Sequence, residues 1–328
     1  MNQNFIDFMG DYSNKKLAVA VSGGVDSVCL LCWLAQLKMN VTALHVNHEL
    51  RPVAKIESDY VRDLCGYLGV PCHIFNWTGD KPTSGLEAAA RDARYKFMTD
   101  FCRENNMDAL LVAHQADDQI ETFLMNLARG SGLTGLAAMR PVAWRDGVKI
   151  VRPLLDVPRA ELQAYCDAHN IKYFMDEMNR DTQYTRVKIR QNRYLMAEKL
   201  GISDARILLA VKNLGRVRDA AERDIASHIA TVMHDGYAMF SDSFLFDQTP
   251  DIRLKLLGTL IQFIGGDEYQ PRLNSLQKAL DKLQCDCKFT LGHCTLRRLR
   301  NRVLIVREGE KTSFRKRDEK QKRHKKRN

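Results

Sequence analysis

Between residue 17 and about residue 155, short apolar runs alternate with longer amphipathic stretches. This rhythm is typical of β-α-β units, in which consecutive strands lie parallel and the intervening helices cover both faces of the sheet. The apolar runs predict strands at Leu17–Val21, Val41–Asn47, Cys72–Trp77, Ala109–Ala113 and Ile150–Pro153. The amphipathic stretches predict helices near 26–38, 55–69, 85–106 and 117–129. We therefore predict an α/β fold with an open parallel sheet.

This rhythm stops after Pro158. A helix near 159–169 leads through a polar stretch to long helical segments, and a mixed region follows. The remaining predicted elements are helices near 191–199, 203–234, 250–264 and 271–283, a hairpin at Tyr237–Phe246, and strands at Lys288–Leu291 and Val303–Val306. The sequence thus predicts a first domain over 1–200, a helical linker with a small α+β C-terminal module over 201–310, and a tail over 311–328.

The net charge of +10 is concentrated in that tail. Residues 311–328 contain ten Lys or Arg against two acidic residues, which is +8 and leaves about +2 for the rest of the chain. A segment of this composition has too little apolar surface to fold alone, so we expect a disordered tail that contacts phosphates non-specifically. A purely solubilising tail is the alternative.

The nine cysteines are scattered and lack the spacing of a secreted disulfide framework. Cys29 and Cys32 lie three residues apart in an apolar helical run, which favours core packing over redox or metal chemistry. Zinc binding by Cys285, Cys287, His293 and Cys294 is the other metal hypothesis, although their spacing is not that of a zinc finger. No run reaches the roughly 20 apolar residues of a membrane span, and no signal-peptide core begins the chain, so we expect a cytoplasmic protein.

The first predicted strand runs directly into Ser22-Gly23-Gly24-Val25-Asp26-Ser27 and then into a predicted helix. Two adjacent glycines allow successive backbone N–H groups to converge on an anion, and the helix adds its unpaired N-terminal amides. The two serines supply hydroxyl donors. Asp26 suits such a site if it holds Mg²⁺ that bridges to phosphates. The segment therefore predicts a polyphosphate-binding loop.

Two other phosphate loops are excluded by sequence. A Walker A loop needs Gly-Lys-Ser/Thr, and a dinucleotide fingerprint needs G-x-G-x-x-G, and both are absent. A plain tight turn would explain the glycines but not the serines and the aspartate.

The strand, loop and helix resemble the pyrophosphate loop of the N-type ATP pyrophosphatases, which adenylate a substrate while cleaving ATP to AMP and pyrophosphate. Residues 45–51 (His-Val-Asn-His-Glu-Leu-Arg) and 113–122 (Ala-His-Gln-Ala-Asp-Asp-Gln-Ile-Glu-Thr) resemble motifs of the tRNA(Ile)-lysidine synthetase family. The similarity runs in order over about 15–195 and continues weakly to 308. It implies an adenine nucleotide alpha hydrolase-like fold in the first domain.

The resemblance also implies the reaction and its partners. The substrates would be ATP, used with Mg²⁺, L-lysine and tRNA(Ile) with a CAU anticodon. O2 of cytidine 34 would attack the α-phosphate of ATP, pyrophosphate would leave, and the ε-amine of lysine would then displace AMP at C2. The sequence indicates no obligate protein partner.

Ligands in an open parallel sheet sit at the carboxyl ends of the strands, where three of these motifs lie. The predicted ATP-binding residues are Ser22, Gly23, Gly24, Val25, Asp26, Ser27, His48 and Arg51. The predicted catalytic residues are His114, Asp118, Glu121 and Arg190.

Three carboxylates divide the predicted acid–base and metal roles. The lysine ε-amine, with a pKa of about 10.4, must lose a proton before it attacks, and Asp118 is the predicted base. Asp26 is the predicted Mg²⁺ ligand, with Asp118 as a second, and Glu121 is shared between the metal and lysine. Exchanging the roles of base, metal ligand and lysine contact among these three carboxylates fits the sequence equally well. A pair of acidic residues at a helix start with no catalytic role is the alternative.

Residues 179–193 resemble the basic segment with which the family closes its active site. The predicted tRNA-binding residues are Arg180, Arg186, Lys188 and Arg193. The resemblance extends tRNA binding to the module at 201–310. A solvated helix face is the alternative for the basic segment.

Two other functions remain open. The first is an ATP pyrophosphatase that thiolates tRNA, which would need active-site cysteines. The second is a non-catalytic RNA-binding protein whose tail does the binding.

Overall fold

The computed structural model describes residues 1–48, 54–78, 81–82, 85–174, 185–234, 236–267, 269–285 and 287–309. The chain forms two compact units, the first from Met1 to Arg218 and the second from Asp219 onward. The sequence placed this boundary at residue 200. The structure places it within a long helix, because Ile207 and Val211 of that helix are buried in one cluster with Ile120 of the first unit.

The first unit alternates strands and helices as the sequence predicted. Its strands are β1 (Leu17–Ala20), β2 (Val41–Asn47), β3 (Cys72–Asn76), β4 (Ala109–Leu111), β5 (Val142–Arg145) and β6 (Val148–Val151). Its helices are α1 (Gln3–Gly10), α2 (Val25–Gln36), α3 (Ala54–Leu68), α4 (Leu86–Glu104), α5 (Ala116–Ala128), α6 (Leu133–Leu136), α7 (Arg159–Ala168) and α8 (Thr185–Leu200), and α9 (Asp204–Ala230) continues into the second unit.

The described strands of the first unit form one sheet in the order β3-β2-β1-β4-β6-β5. All neighbours are parallel except β5, which pairs antiparallel with β6 at the edge. The predicted open parallel sheet is confirmed, but the edge strand was missed. Asp146 and Gly147 have positive φ angles of 50° and 76°. An Asp-Gly pair in this conformation is a strong hairpin signal.

Helices cover both faces of this sheet. On one face, α2 and α7 pack together, and Trp33 of α2 is 1% exposed and contacts Phe5 of α1. On the other face, Tyr95 and Met98 of α4 are buried against the strands. Because helices cover both faces, the loops that follow the strands form the carboxyl edge of the sheet.

The second unit is an antiparallel sheet with helices packed on it. Its strands are β7 (Met233–His234), β8 (Tyr237–Ser241), β9 (Lys288–Leu291), β10 (Cys294–Leu299) and β11 (Arg302–Arg307), in the order β7-β8-β11-β10-β9. Its further helices are α10 (Asp242–Phe246), α11 (Pro250–Gly265) and α12 (Leu273–Gln284). The small α+β module is therefore present.

The predicted hairpin at Tyr237–Phe246 is wrong. Its first half is β8, but its second half is α10, because the Ser241 hydroxyl accepts a hydrogen bond from Phe244 N (3.3 Å) and caps a helix. Strand β10 was missed because charged Arg297 and Arg298 interrupt its apolar pattern.

Cys29 and Cys32 are buried in α2, as expected for core packing. Cys285 and Cys287 are exposed while Cys294 is buried, and within the described residues no cluster of three His, Cys, Asp or Glu could hold a metal ion. In the same part of the chain, no helix is long and apolar enough to cross a membrane.

Candidate active site

The glycine-rich loop lies at the carboxyl end of β1, a central strand. Its two serines are joined to each other, since Ser22 N donates to Ser27 Oγ (3.1 Å) and the two hydroxyl oxygens are 3.1 Å apart. Ser27 Oγ donates to Gly24 O (3.0 Å), while Gly24 N donates to Ser22 Oγ (3.3 Å). The serines thus hold the loop in a fixed shape.

The loop ends at the N-terminus of α2, where no side chain caps the helix. Gly23 has a φ of +89°, in the left-handed region that favours glycine. A Cβ there would also lie 3.4 Å from the Phe174 ring, and Phe174 N donates to Gly23 O (2.9 Å). No side chain caps this helix start, and N–H groups at such a position commonly bind phosphate.

Asp26 projects from the first turn of α2 into a group of charged side chains. Its Oδ1 is buried without a hydrogen-bond partner in the described structure and lies 3.9 Å from Arg159 Nε. The pKa of Asp26 is raised to about 6, and burial is the largest cause. Arg159 lowers this pKa, whereas Asp118 and Asp117 contribute to the rise. The carboxylates of α2 and α5 are thus close enough to repel each other.

Helix α5 follows β4, the neighbour of β1, and its N-terminus is capped. The Gln115 side chain accepts from Asp117 N, and Asp118 Oδ2 accepts from Gln115 N (3.1 Å), which completes a capping box. Asp117 Oδ2 accepts from Arg159 N (2.9 Å), which ties α5 to the start of α7. Asp118 therefore caps α5 and also lies in a cluster of carboxylates with Asp26 and Asp117.

Helix α8 is attached to α5 by two ion pairs. Arg190 donates to Glu121 Oε1 (2.8 Å), and the Glu121 side chain is only 1% exposed. Arg193 bonds to Asp117 and lies 3.4 Å from Asp204 Oδ2. Lys188 of the same helix is exposed. The predicted catalytic residues Glu121 and Arg190 thus lie together.

Three histidines follow or end the central strands. His45 is buried in β2, where its Nδ1 donates to Val21 O (2.8 Å) and its Nε2 lies 3.1 Å from Ser58 Oγ. His48 is half-buried against the edge of the Trp77 ring, and burial lowers its pKa to about 4, with Arg94 the next contribution. His114 is half-buried just before Gln115, the N-cap of α5.

Some predicted residues lie outside the described part of the chain. These are Arg51, Arg180, the side chain of Arg186 and the tail at 311–328.

Sequence reasoning missed Arg159 and Phe174, and it gave no role to Asp117. Arg159 begins α7 directly after Pro158, whose fixed φ is a helix-start signal. Phe174 forms a parallel bridge with Gly24. These contacts join residues far apart in the chain, so no pattern among neighbouring residues predicts them.

Comparison with known proteins places this arrangement in a family. The profile of the PP-loop domain matches residues 1–196. The chain is 35% identical to a tRNA(Ile)-lysidine synthase of Wolbachia pipientis wMel over 93% of its own length and 73% of that protein. It is 34% identical to one of Ruegeria pomeroyi over 90% of this chain and 71% of that one.

A solved structure shares the fold. The U34-tRNA thiolase NcsA from Methanococcus maripaludis, with its [4Fe-4S] cluster, matches 65% of this chain and 77% of its own with a TM-score of 0.56 and 19% identity. At that identity the likeness extends to the fold alone. On the profile and the relatives, the chain belongs to the tRNA(Ile)-lysidine synthase family of PP-loop proteins.

Proposed function

We propose that this protein converts cytidine 34 of tRNA(Ile) with a CAU anticodon to lysidine, using ATP and L-lysine. O2 of the cytidine attacks the α-phosphorus of ATP and pyrophosphate leaves. The lysine ε-nitrogen then attacks C2, AMP leaves with the O2 oxygen, and the ammonium proton passes to a base. The observation that carries the proposal is the meeting of an uncapped phosphate loop with the carboxylates of α5 at adjacent strand ends.

The loop binds the ATP phosphates in this proposal. Its backbone amides at the start of α2, which no side chain caps, and the positive end of the helix dipole neutralise charge on the leaving pyrophosphate. The serine hydroxyls, already bonded to each other and to Gly24, keep the loop preorganised. His48 lies at the end of the neighbouring strand β2, where it can contact the nucleotide as a neutral imidazole.

The carboxylates fit a divalent cation. Asp26 has a buried oxygen without a hydrogen bond in the described structure, and neighbouring carboxylates raise its pKa, so a cation would relieve both costs. Mg²⁺ is usually held by one or two carboxylates together with substrate phosphates. Asp26, with Asp118 as a second ligand, would hold it. When bound, Mg²⁺ supplies charge neutralisation on the phosphates.

Asp118 is the proposed base for the lysine ammonium. One of its oxygens accepts from Gln115 N, which fixes the side chain at the start of α5. Its negative charge contributes to the raised pKa of Asp26, so the two carboxylates lie near each other. A positioned carboxylate typically contributes 10²–10⁴-fold to a proton-transfer step. His114 directly precedes Gln115, the N-cap of α5, and is the second proposed catalytic group there.

Glu121 positions Arg190 in this proposal. Its carboxylate is buried and engaged by Arg190, whereas a lysine-binding carboxylate must be open to its ligand. Arg190 in turn contributes positive charge beside Asp26, whose pKa it lowers. Exposed Lys188, on the same helix, remains the proposed tRNA contact there.

The test is a labelling assay with ATP, radiolabelled lysine and a tRNA(Ile) transcript with a CAU anticodon. Label should enter acid-precipitable tRNA only when ATP is present. A transcript with cytidine 34 replaced by uridine is the matched control and should remain unlabelled. No incorporation under any condition would contradict the proposal.

Thiolation is the competing reaction, and the described cysteines argue against it. Cys29 and Cys32 are 0% and 5% exposed in α2, and Cys72 begins β3 at the opposite end of that strand from the carboxyl edge, so none of these three thiols is open at that edge. Replacing all nine cysteines should leave lysine incorporation intact. Loss of activity in a folded variant would favour sulfur chemistry.

A further inference from the structure

A group of arginines surrounds the ring of Tyr95 on α4. The guanidinium carbon of Arg145 lies 4.3 Å from the ring centroid, that of Arg91 5.5 Å and that of Arg94 6.0 Å. The Arg152 side chain lies close enough to the Tyr95 side chain to interact with it. Four cationic side chains from α4, β5 and the end of β6 therefore converge on one aromatic ring.

The carboxylates beside this arginine cluster neutralise only part of it. Arg145 bonds to Asp92 (2.8 Å) and lies 3.7 Å from Asp146. Within the described residues, Arg91, Arg94 and Arg152 form no ion pair with a carboxylate. Like charges held this close cost free energy unless an anion compensates them.

Burial increases that cost. Arg94 and Arg152 are half-buried, and burial lowers the pKa of both guanidinium groups, with Arg91 adding repulsion. The Nε of Arg152 is buried without a hydrogen-bond partner in the described structure, although one of its terminal nitrogens donates to Arg140 O (3.0 Å). Arg91 is exposed. The cluster thus extends from the solvent into the protein.

The arginine cluster borders the candidate active site. Arg152 directly follows β6 at the carboxyl edge of the sheet, where β1 and β4 carry the phosphate loop and α5. Arg94 is near enough to His48 to contribute to its lowered pKa. An anion on these arginines would lie at the same edge of the sheet as the phosphate loop and near His48.

We propose that Arg91, Arg94 and Arg152 bind backbone phosphates of the substrate RNA beside the nucleotide that is modified. This inference rests on the proposed function, which makes tRNA the substrate. Guanidinium groups pair with phosphate oxygens through two parallel hydrogen bonds, and RNA carries one such charge per nucleotide. A run of phosphates matches a cluster that extends from exposed Arg91 to Arg152, whereas a single lysine carboxylate would occupy one guanidinium.

The experiment measures binding and kinetics separately in Arg91→Gln and Arg94→Gln. Affinity for the tRNA(Ile) transcript is followed by fluorescence anisotropy across a salt series, and KM is measured for ATP, lysine and tRNA. The matched control is Arg62→Gln, which removes an exposed arginine that pairs with Asp59 on α3. Arg91→Lys and Arg94→Lys keep the charge, and thermal melting checks that each variant is folded.

We expect each Gln variant to weaken tRNA binding roughly 3- to 10-fold and to reduce the salt-dependence slope by about one. The KM for ATP and for lysine should stay unchanged, the Lys variants should recover part of the affinity, and Arg62→Gln should match the wild type. Unchanged tRNA affinity in both Gln variants overturns the proposal. A raised KM for lysine with normal tRNA binding also overturns it, because it assigns the cluster to the lysine carboxylate.

Failure of the proposed function gives a different result. A wild-type protein that binds the transcript but forms no lysidine contradicts the reaction. The anisotropy series still tests the arginines in that case, since it does not require turnover.

Discussion

Helices α2 and α5 begin at the carboxyl ends of two neighbouring parallel strands, yet side chains cap the N-terminus of α5 and not that of α2. At α2, Gly24 stands at the N-cap position and no side chain satisfies the first amides. At α5, Gln115 and Asp118 satisfy each other's backbone in a capping box. The strand–loop–helix unit therefore occurs twice with different chemistry. The start of α2 offers hydrogen-bond donors, and the start of α5 offers fixed carboxylates.

In the proposed reaction, this difference assigns anion binding to the start of α2 and proton transfer to the start of α5. An uncapped helix start attracts phosphate, whereas a capped start filled with aspartates repels phosphate and attracts cations such as an ammonium or Mg²⁺. The two helices follow adjacent strands, so in the proposed reaction these opposite preferences lie on either side of the ATP phosphates. Four substitutions test the comparison.

Asp118→Asn should have the largest effect on activity. It removes the proposed base, so lysidine formation should fall about 10²–10⁴-fold. An amide oxygen can still accept from Gln115 N, so the cap and the melting temperature should be retained. Single-turnover assays separate the two proposed roles of Asp118: loss of the base alone makes adenylated tRNA accumulate, whereas loss of a Mg²⁺ ligand slows adenylation itself. Normal lysine incorporation would show that α5 supplies no base.

Arg190→Met should have the largest effect on stability. It leaves Glu121 buried at 1% exposure without its cation, and breaking such a pair typically costs about 3–5 kcal/mol. Urea denaturation measures the loss. Adding Glu121→Gln should recover most of it, because the uncompensated charge is gone. A double variant no more stable than Arg190→Met would contradict the buried-charge explanation.

Asp26→Asn should raise the free energy of unfolding and lower the ATP-dependent activity. The folded pKa is raised from 3.8 to about 6, so ionisation of Asp26 opposes folding as pH rises through that window. The free energy of unfolding at pH 7.5 without Mg²⁺ should therefore rise on substitution, by on the order of 1–3 kcal/mol.

The gain from Asp26→Asn should shrink as pH falls below about 6 and vanish at about pH 3 and below, where the carboxyl group is mostly protonated in both states. Denaturation at the two pH values measures this, and ATP-dependent activity should fall because a metal ligand is lost. Equal stability of variant and wild type at both pH values would contradict the raised pKa.

Gly23→Ala should have the smallest effect. A Cβ at φ +89° costs roughly 1–2 kcal/mol and shifts the loop, which should raise the KM for ATP several-fold. Gly69→Ala is the matched control, because Gly69 also has a positive φ (66°) but has no neighbouring atom within 4 Å of an added Cβ. If both variants alter the KM for ATP equally, the loop is not the phosphate site.

Much of the first unit could be predicted because its signals are local. Apolar runs located β1, β2 and β4, and the glycine pair located the loop, since both depend on neighbouring residues. The edge strand β5 and helix α10 were missed although Asp146-Gly147 and Ser241 carried turn and capping signals. At α10 the apolar pattern favoured a strand over the helix that Ser241 caps, whereas the four residues of β5 are too few and too mixed to stand out as an apolar run.

The sequence by itself determined the parallel sheet, the phosphate loop after β1 and the acidic start of α5, because periodicity, glycine conformation and helix capping act within a few residues. Only the tertiary structure decided that Asp26 meets Asp118, that Glu121 is buried under Arg190, and that four arginines gather at Tyr95. Those contacts join residues far apart in the chain. Burial and charge, which set their pKa values and energies, arise only when the packed elements exclude water.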